Sequence, residues 1–219
     1  YGYHGISVAS IVRTLQDVDK LAPKTIVCHL GSGASVTAVH GGKSADNTMG
    51  YSPLEGIIMS TRSGTIDFTA VRALKEAFGY DDQKVDEYLN KHGGLLGLGG
   101  SADIRELLQR EAYGDHPAHL ALRTYVYSVQ KAIGQMIAAL GGVDEIVFTG
   151  TVGERSGPIR ERITKRLHYL DFILDEQVNG EYEGTESVKC VSRLAHSKPV
   201  YVVQADEAAE MVRQVQATA

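Results

Sequence analysis

The run Thr25-Ile26-Val27-Cys28-His29-Leu30-Gly31-Ser32-Gly33-Ala34-Ser35-Val36-Thr37-Ala38-Val39 constrains the fold of this chain more than any other segment. It reads as a strand, a tight turn holding two glycines and a serine, and a second strand. Glycine lets the backbone turn with φ > 0 and lets a ligand come close to main-chain N–H groups. A concavity of such amides suits an anion, phosphate in particular. His29, Ser32 and Ser35 flank or occupy the turn, where an ordinary surface hairpin needs none of them. A strand follows in place of a helix, so this is not a Walker-type P-loop, which also requires a Lys-Ser/Thr pair. Two readings stay open on these residues alone: a phosphate turn, or a plain hairpin closed by glycine.

At 219 residues the chain suffices for one large domain or two small ones, with roughly 70% of the unfolded surface buried on folding. A net charge of −5 gives no general attraction to nucleic acid or to an anionic membrane, so neither is expected as a partner. Phosphate binding must then be local, built from loops and individual cations. Cys28 and Cys190 lie far apart in apolar, strand-like runs and read as buried thiols in a reducing compartment, not as a metal pair. No apolar segment approaches membrane-spanning length and no signal-peptide pattern opens the chain, which points to the cytoplasm. The chain begins at Tyr1, without an initiator Met and inside a motif-like sequence, so a fragment or an isolated domain is expected.

Periodicity places an amphipathic helix over residues 7–20, on Val8, Ile11, Val12, Leu15 and Val18, with Ser7 near its cap. His40-Gly41-Gly42-Lys43 turns into a possible third strand. Residues 44–63 read as a long ordered loop, a feature often functional in compact domains. Helices follow at 67–78, 83–91 and 101–111, with His92–Gly100 as a loop between the last two. The spacing then predicts a central buried helix over 117–140, with Pro117 early and Gly141-Gly142 as its stop. Glu145 to Thr149 is a short buried strand, followed by a glycine loop and a helix near 156–168. Strands near 172–174, 187–192 and 199–203 precede a last helix over about 206–216. No repeat, low-complexity tract or linker divides the sequence, which we read as one α/β domain.

Four further places could carry chemistry. In Phe148-Thr149-Gly150-Thr151-Val152-Gly153-Glu154-Arg155-Ser156 a buried strand enters a glycine loop before a helix, which gathers free N–H groups and a helix dipole where a nucleotide could sit. The alternative is a βα turn that uses glycine for geometry only. Thr61-Arg62-Ser63-Gly64-Thr65-Ile66-Asp67 sets a cation among hydroxyls, and Arg62 could neutralise the equatorial oxygens of a transferring phosphoryl group. Alternatively Ser63 or Asp67 caps a helix and Arg62 is simply solvated. His4, between glycines in Tyr3-His4-Gly5, is poorly placed for a core and could donate to a phosphoryl oxygen. Glu207, at the start of the last helix, is either a dipole partner or a carboxylate for Mg²⁺ through water. His92, His116, His119, His168 and His196 have no metal-ligand spacing.

With these segments in order, the chain resembles the carboxyl-terminal half of an acetate kinase, from Tyr1 to about Arg213. The marks are Tyr3-His4-Gly5, Cys28-His29-Leu30-Gly31, Met49-Gly50-Tyr51-Ser52-Pro53-Leu54-Glu55-Gly56, Thr61-Arg62-Ser63-Gly64 and Gly141-Gly142-Val143-Asp144. The resemblance implies a single domain of the acetate and sugar kinase/Hsp70/actin (ASKHA, ribonuclease H-like) type, a mixed sheet flanked by helices. It implies direct phosphoryl transfer between ATP and acetate, or the related propionate or butyrate, with Mg²⁺. By position, His4, His29 and Arg62 would face the transferred phosphoryl, and Tyr3 and Pro53 would wall the carboxylate pocket. Gly31, Ser32 and Gly33 would be the second phosphate loop. Asp103 and Arg105, with Gly150, Thr151, Val152, Gly153 and Glu154, would bind adenosine, and Glu207 would orient Mg²⁺. The resemblance further implies a homodimer formed through this half, and an amino-terminal half completing the cleft that this sequence is expected to lack.

Several residues depart from that pattern. Ser32 replaces an Asn, a shorter donor that would reach phosphate through water. Thr151 adds a β-branched side chain where glycine is usual, and Arg155 adds a cation where Asn is usual. Gln204-Ala205-Asp206 replaces Pro-Thr-Asn before Glu207, and Thr65 replaces an acidic residue. The phosphoryl-handling residues thus match better than the nucleotide-handling ones. This keeps a second expectation alongside the kinase: a non-catalytic module that binds nucleotide or polyphosphate and dimerises.

Overall fold

The computed structural model describes residues 2–182 and 184–218. Its sheet grows outward from the hairpin. β1 (Lys24–Leu30) and β2 (Ala34–His40) pair antiparallel, from Lys24 opposite His40 to Leu30 opposite Ala34, and β3 (Lys43–Asn47) adds antiparallel to β2. On the other side β1 runs parallel to β4 (Glu145–Thr149) and β4 parallel to β6 (Val200–Val203). The edge strand β5 (Val188–Cys190) is antiparallel to β6, giving the order β3-β2-β1-β4-β6-β5.

Side chains alternate across this sheet, so each strand feeds two cores. Ile26, Cys28, Leu30, Val36, Phe148 and Val202 enter the larger core, shared with α6 (His116–Leu140). Val27, Val39, Val147 and Tyr201 enter the smaller one with Val8, Ile11, Val12 and Leu15 of α1 (Gly5–Asp17). The apolar stripe read from the sequence therefore lies against the sheet. α10 (Glu207–Thr218) packs beside α1, tied by Arg13 to the buried Glu210 at 3.0 Å. α6 is capped by Asp115, whose carboxylate accepts from the Ala118 N–H, and is stopped by Gly141 in the left-handed region. At about 1.5 Å per residue it runs about 37 Å across the sheet. Among the described residues no helix is long and apolar enough to cross a membrane.

The remaining helices are α2 (Phe68–Phe78), α3 (Asp82–Lys91), α4 (Gly94–Gly99), α5 (Ile104–Ala112), α7 (Gly150–Arg155), α8 (Gly157–Thr164) and α9 (Glu176–Glu181). Here the structure corrects several expectations. α1 starts at Gly5, so Ser7 is no cap but lies inside the helix, fully buried. Segment 92–100 is not a loop: α4 forms there despite its glycines, because packing overrides a weak local preference. The glycine loop expected after β4 is itself α7, which begins at Gly150 with no intervening loop, and Ser156 separates it from α8. Gly150 has φ 76, and a Cβ there would lie 2.7 Å from the Leu30 carbonyl oxygen; only glycine lets the end of β1 pass so close. Residues 44–47, assigned to the long loop, pair as β3. Of the strand expected at 172–174 there is one bridge, Leu174 to Ser192. Cys28 is buried, whereas Cys190, on the edge strand, is only partly so.

Candidate functional site

The end of β1, the following turn and the start of α1 bring two histidines face to face. His4 and His29 stack with ring centroids 4.0 Å apart and an interplanar angle of 19°. His29 Nδ1 lies 2.9 Å from the Ser7 hydroxyl, and His4 Nδ1 lies 2.9 Å from the Ser35 hydroxyl. Both serines are fully buried. His4 holds a left-handed backbone, φ 61, which is uncommon for a residue with a side chain and points to a constraint imposed by its surroundings. Burial, and then the nearby Arg62 charge, lower the His4 pKa; burial, and then His4, push His29 down to about 4. Both rings are therefore neutral near pH 7.

Arg62 reaches the same point from the other side. A Cβ at Gly33 would lie 3.2 Å from Arg62 Nη1 and 3.3 Å from His4 Nε2; one at Gly31 would lie 3.6 Å from His29 Nε2. One guanidinium and two imidazole Nε2 atoms thus converge on the Gly31-Ser32-Gly33 turn. Arg62 Nη1 also donates to the Pro53 carbonyl at 3.3 Å, while the Tyr3 hydroxyl donates to the Tyr51 carbonyl at 3.2 Å. Arg62 is half-buried, and Asp67 caps α2, accepting from the Thr69 and Ala70 N–H groups.

The Arg62 loop is fastened by main chain. Met59 N–H donates to Arg62 O, Ser63 N–H to Leu89 O, Gly93 N–H to Thr61 O, Leu95 N–H to Met59 O and Leu96 N–H to Ser60 O. The start of α4 is pressed against this loop: a Cβ at Gly94, φ 60, would fall on the Met59 carbonyl oxygen and 2.8 Å from that of Arg62. The sequence reading missed this buttress, whose only signal was the doubled glycine Gly93-Gly94.

From the turn a groove of about 1010 Å³ runs between α5 and α7, walled by Ser32, Arg62, Asp103, Arg105, Thr151 and Arg155 among others. Apolar Ile104, Leu108 and Val152 line it as well. Asp103 caps α5 and is paired with Arg105 at 2.6 Å, which holds its carboxyl down at about 2. Of the residues expected at adenosine, Asp103, Arg105, Thr151 and Val152 line the groove. Gly150, Gly153 and Glu154 lie behind its wall: Glu154 Oε1 accepts from the Gly150 N–H at 3.0 Å, closing the first turn of α7. Behind them lies Arg160, fully buried, which sequence reasoning also missed. It donates to the Gly153 and Glu154 carbonyls and to Asn179, so it joins the end of α7 to α9. Desolvation lowers its pKa to about 10. Glu207 is exposed on the first turn of α10, and among the described residues no three His, Cys, Asp or Glu side chains group to hold a metal ion.

A mixed sheet of this order, helices on both faces, and a glycine turn between its first two strands define an ASKHA-type domain. The chain belongs to the Acetokinase family, whose sequence profile matches residues 1–213. It is 42% identical over 211 residues to the acetate kinase of Bacteroides thetaiotaomicron, covering 94% of this chain and 52% of that protein. The solved acetate kinase of Porphyromonas gingivalis matches with a TM-score of 0.93 at 33% identity, over 99% of this chain and 55% of that one. A propionate kinase from Francisella tularensis matches with a TM-score of 0.87 at 34% identity, over 96% and 54%. The chain spans about half the length of the curated relatives it matches.

Proposed function

We propose that this chain is the half of an acetate kinase-like phosphotransferase that carries a phosphate turn and the adenosine site. One observation carries the reading: two imidazole Nε2 atoms and the Arg62 guanidinium meet at the Gly31–Gly33 turn, at the head of a groove walled by Asp103, Arg105, Thr151 and Val152. ATP would lie along the groove with its terminal phosphate at the turn. A short-chain carboxylate, acetate or propionate as in the names of the relatives, would enter beside Tyr3 and Pro53. Its oxygen attacks the γ-phosphorus, the bond from phosphorus to the β–γ bridging oxygen breaks, and ADP leaves with the electron pair. No covalent bond to the protein is needed, so the residues act by position and charge. Arg62 offsets the charge on the equatorial oxygens, and His4 and His29 add neutral donors that do not repel it.

The Mg²⁺ implied for such a reaction would be oriented through Glu207, exposed on the first turn of α10; among the described residues no three His, Cys, Asp or Glu side chains group around such an ion. Turnover would need the amino-terminal half to close the groove and exclude water. A cytoplasmic homodimer joined through this half completes the reading.

A non-catalytic nucleotide or polyphosphate module is the second reading. It is favoured by Arg155, an exposed cation on the groove wall with no hydrogen-bond or ion-pair partner among the described residues. Calorimetry of this chain with MgATP, MgGTP and pyrophosphate separates them. Selective MgATP binding supports the kinase half, and preference for pyrophosphate supports the module. Absence of binding by all three at millimolar ligand rules out both.

A further inference from the structure

In the proposed reaction both imidazoles act as donors, yet a neutral imidazole has one N–H and one bare nitrogen. If the bare nitrogen faced the turn, it would repel a phosphoryl oxygen. Which nitrogen carries the proton is set by the partner of the other. Here those partners are Ser7 and Ser35.

Both hydroxyls are sealed from solvent, at 0% exposure, and each has a single hydrogen-bond partner among the described residues: His29 Nδ1 for Ser7 and His4 Nδ1 for Ser35, both at 2.9 Å. A buried O–H left without an acceptor keeps its full desolvation penalty with nothing to offset it. Were Nδ1 protonated, each serine would accept that proton and its own hydrogen would have nowhere to go. The arrangement that satisfies every buried group has each O–H donating to a bare Nδ1. The proton of each ring then sits on Nε2, the nitrogen nearest the turn. The stack favours neutral rings, because two protonated rings 4.0 Å apart beside Arg62 would repel one another and the guanidinium.

We infer that Ser7 and Ser35 are positioning residues that fix the tautomer of the His29–His4 pair and so present two N–H donors, with Arg62, to the transferred phosphoryl group. The inference rests on the phosphoryl-site reading for its purpose, but the tautomers themselves are a property of the free protein. Ser7 belongs to α1 and Ser35 to β2, so neither motif that carries a histidine also carries the residue that sets that histidine's proton. The sequence offers one sign of this: Ser7 falls on the apolar face of α1, four residues before Ile11, where a polar side chain needs a buried reason.

Imidazole ¹⁵N spectroscopy on the whole chain at pH 7 tests this, with His4→Gln and His29→Gln supplying the assignments. The expected spectrum shows both rings with a bare Nδ1 and a protonated Nε2. Ser7→Ala is expected to convert His29 to a mixture of tautomers while leaving His4 unchanged, and Ser35→Ala the reverse. Ser35→Thr, which keeps the hydroxyl, retains the native pattern for His4. MgATP affinity is expected to fall roughly fivefold in either alanine variant, the loss of about one oriented hydrogen bond. A protonated Nδ1 on either ring of the unsubstituted chain overturns the inference, and so does a pattern indifferent to removal of both hydroxyls. If the tautomers are as stated but pyrophosphate and MgATP leave the Nε2 signals unmoved, the phosphoryl reading fails and the tautomer assignment stands.

Discussion

The two ends of the groove are built in opposite ways. At the histidine end the polar contacts are long-range and sheltered: Ser7 to His29 spans 22 residues, and Ser35 to His4 spans 31. The Arg62 loop is held by main-chain bonds to α3, α4 and the residue at its own start. At the other end the contacts are local and wet. Asp103 and Arg105 are two residues apart and pair at the surface, and Thr151 and Arg155 project from one short helix. An end that must meet charge as it develops gains from groups fixed beforehand, since nothing reorganises during the reaction. The proposed nucleoside end, which would grip its ligand by the faces, tolerates looser side chains. This difference also matches the pattern of departures, which gather in α7 and before Glu207 and touch the proposed phosphoryl end only at Ser32 and Thr65.

The sharpest way to break this contrast is to remove the fixed cation. In an enzyme completed with the amino-terminal half, Arg62→Ala is expected to lower kcat by about 10³-fold or more with a much smaller change in KM, as measured by steady-state kinetics. Near-normal turnover would take Arg62 out of its assigned role.

A second measurement asks whether the histidine end is sheltered as described. His29 titrates near 6.5 when unfolded and near 4 when folded, so the unfolded chain binds more protons between those values. Stability should therefore fall as pH drops from about 6.5 to about 4, by roughly 3 kcal/mol from this group, with His4 adding in the same direction. Asp103 and Glu210, both held near 2, lose their contribution mainly below that window. Urea midpoints at pH 7 and pH 4.5 should differ less in His29→Gln than in the unsubstituted chain; equal losses would place His29 in water.

The smallest effect belongs to the wet end. Arg105→Ala is expected to leave the melting temperature unchanged and to weaken MgATP binding about threefold, since an exposed pair contributes little. A large drop in either would mean that this end is as rigid as the other.

Much of the fold could be read from the chain because its signals are local. The hairpin, the stripe on α1 and the span and stop of α6 follow from periodicity, capping and glycine, which act within a few residues. The acidic cap at Asp67 and the buried run of β4 were legible for the same reason. What escaped were features decided between distant segments. Nothing near Gly94 announces that the Arg62 loop lies against it, and a glycine-rich run reads as a loop until its packing partner is known. Gly150 needs no side chain because of Leu30, on another strand. Ser7 reads as a cap until the sheet beneath it supplies His29. The residue types of the site were thus set by composition and motif: two histidines, an arginine and a glycine turn. The convergence of these groups, the neutral state of the two imidazoles and the direction of their protons arise only when burial removes water and leaves each buried polar group one partner.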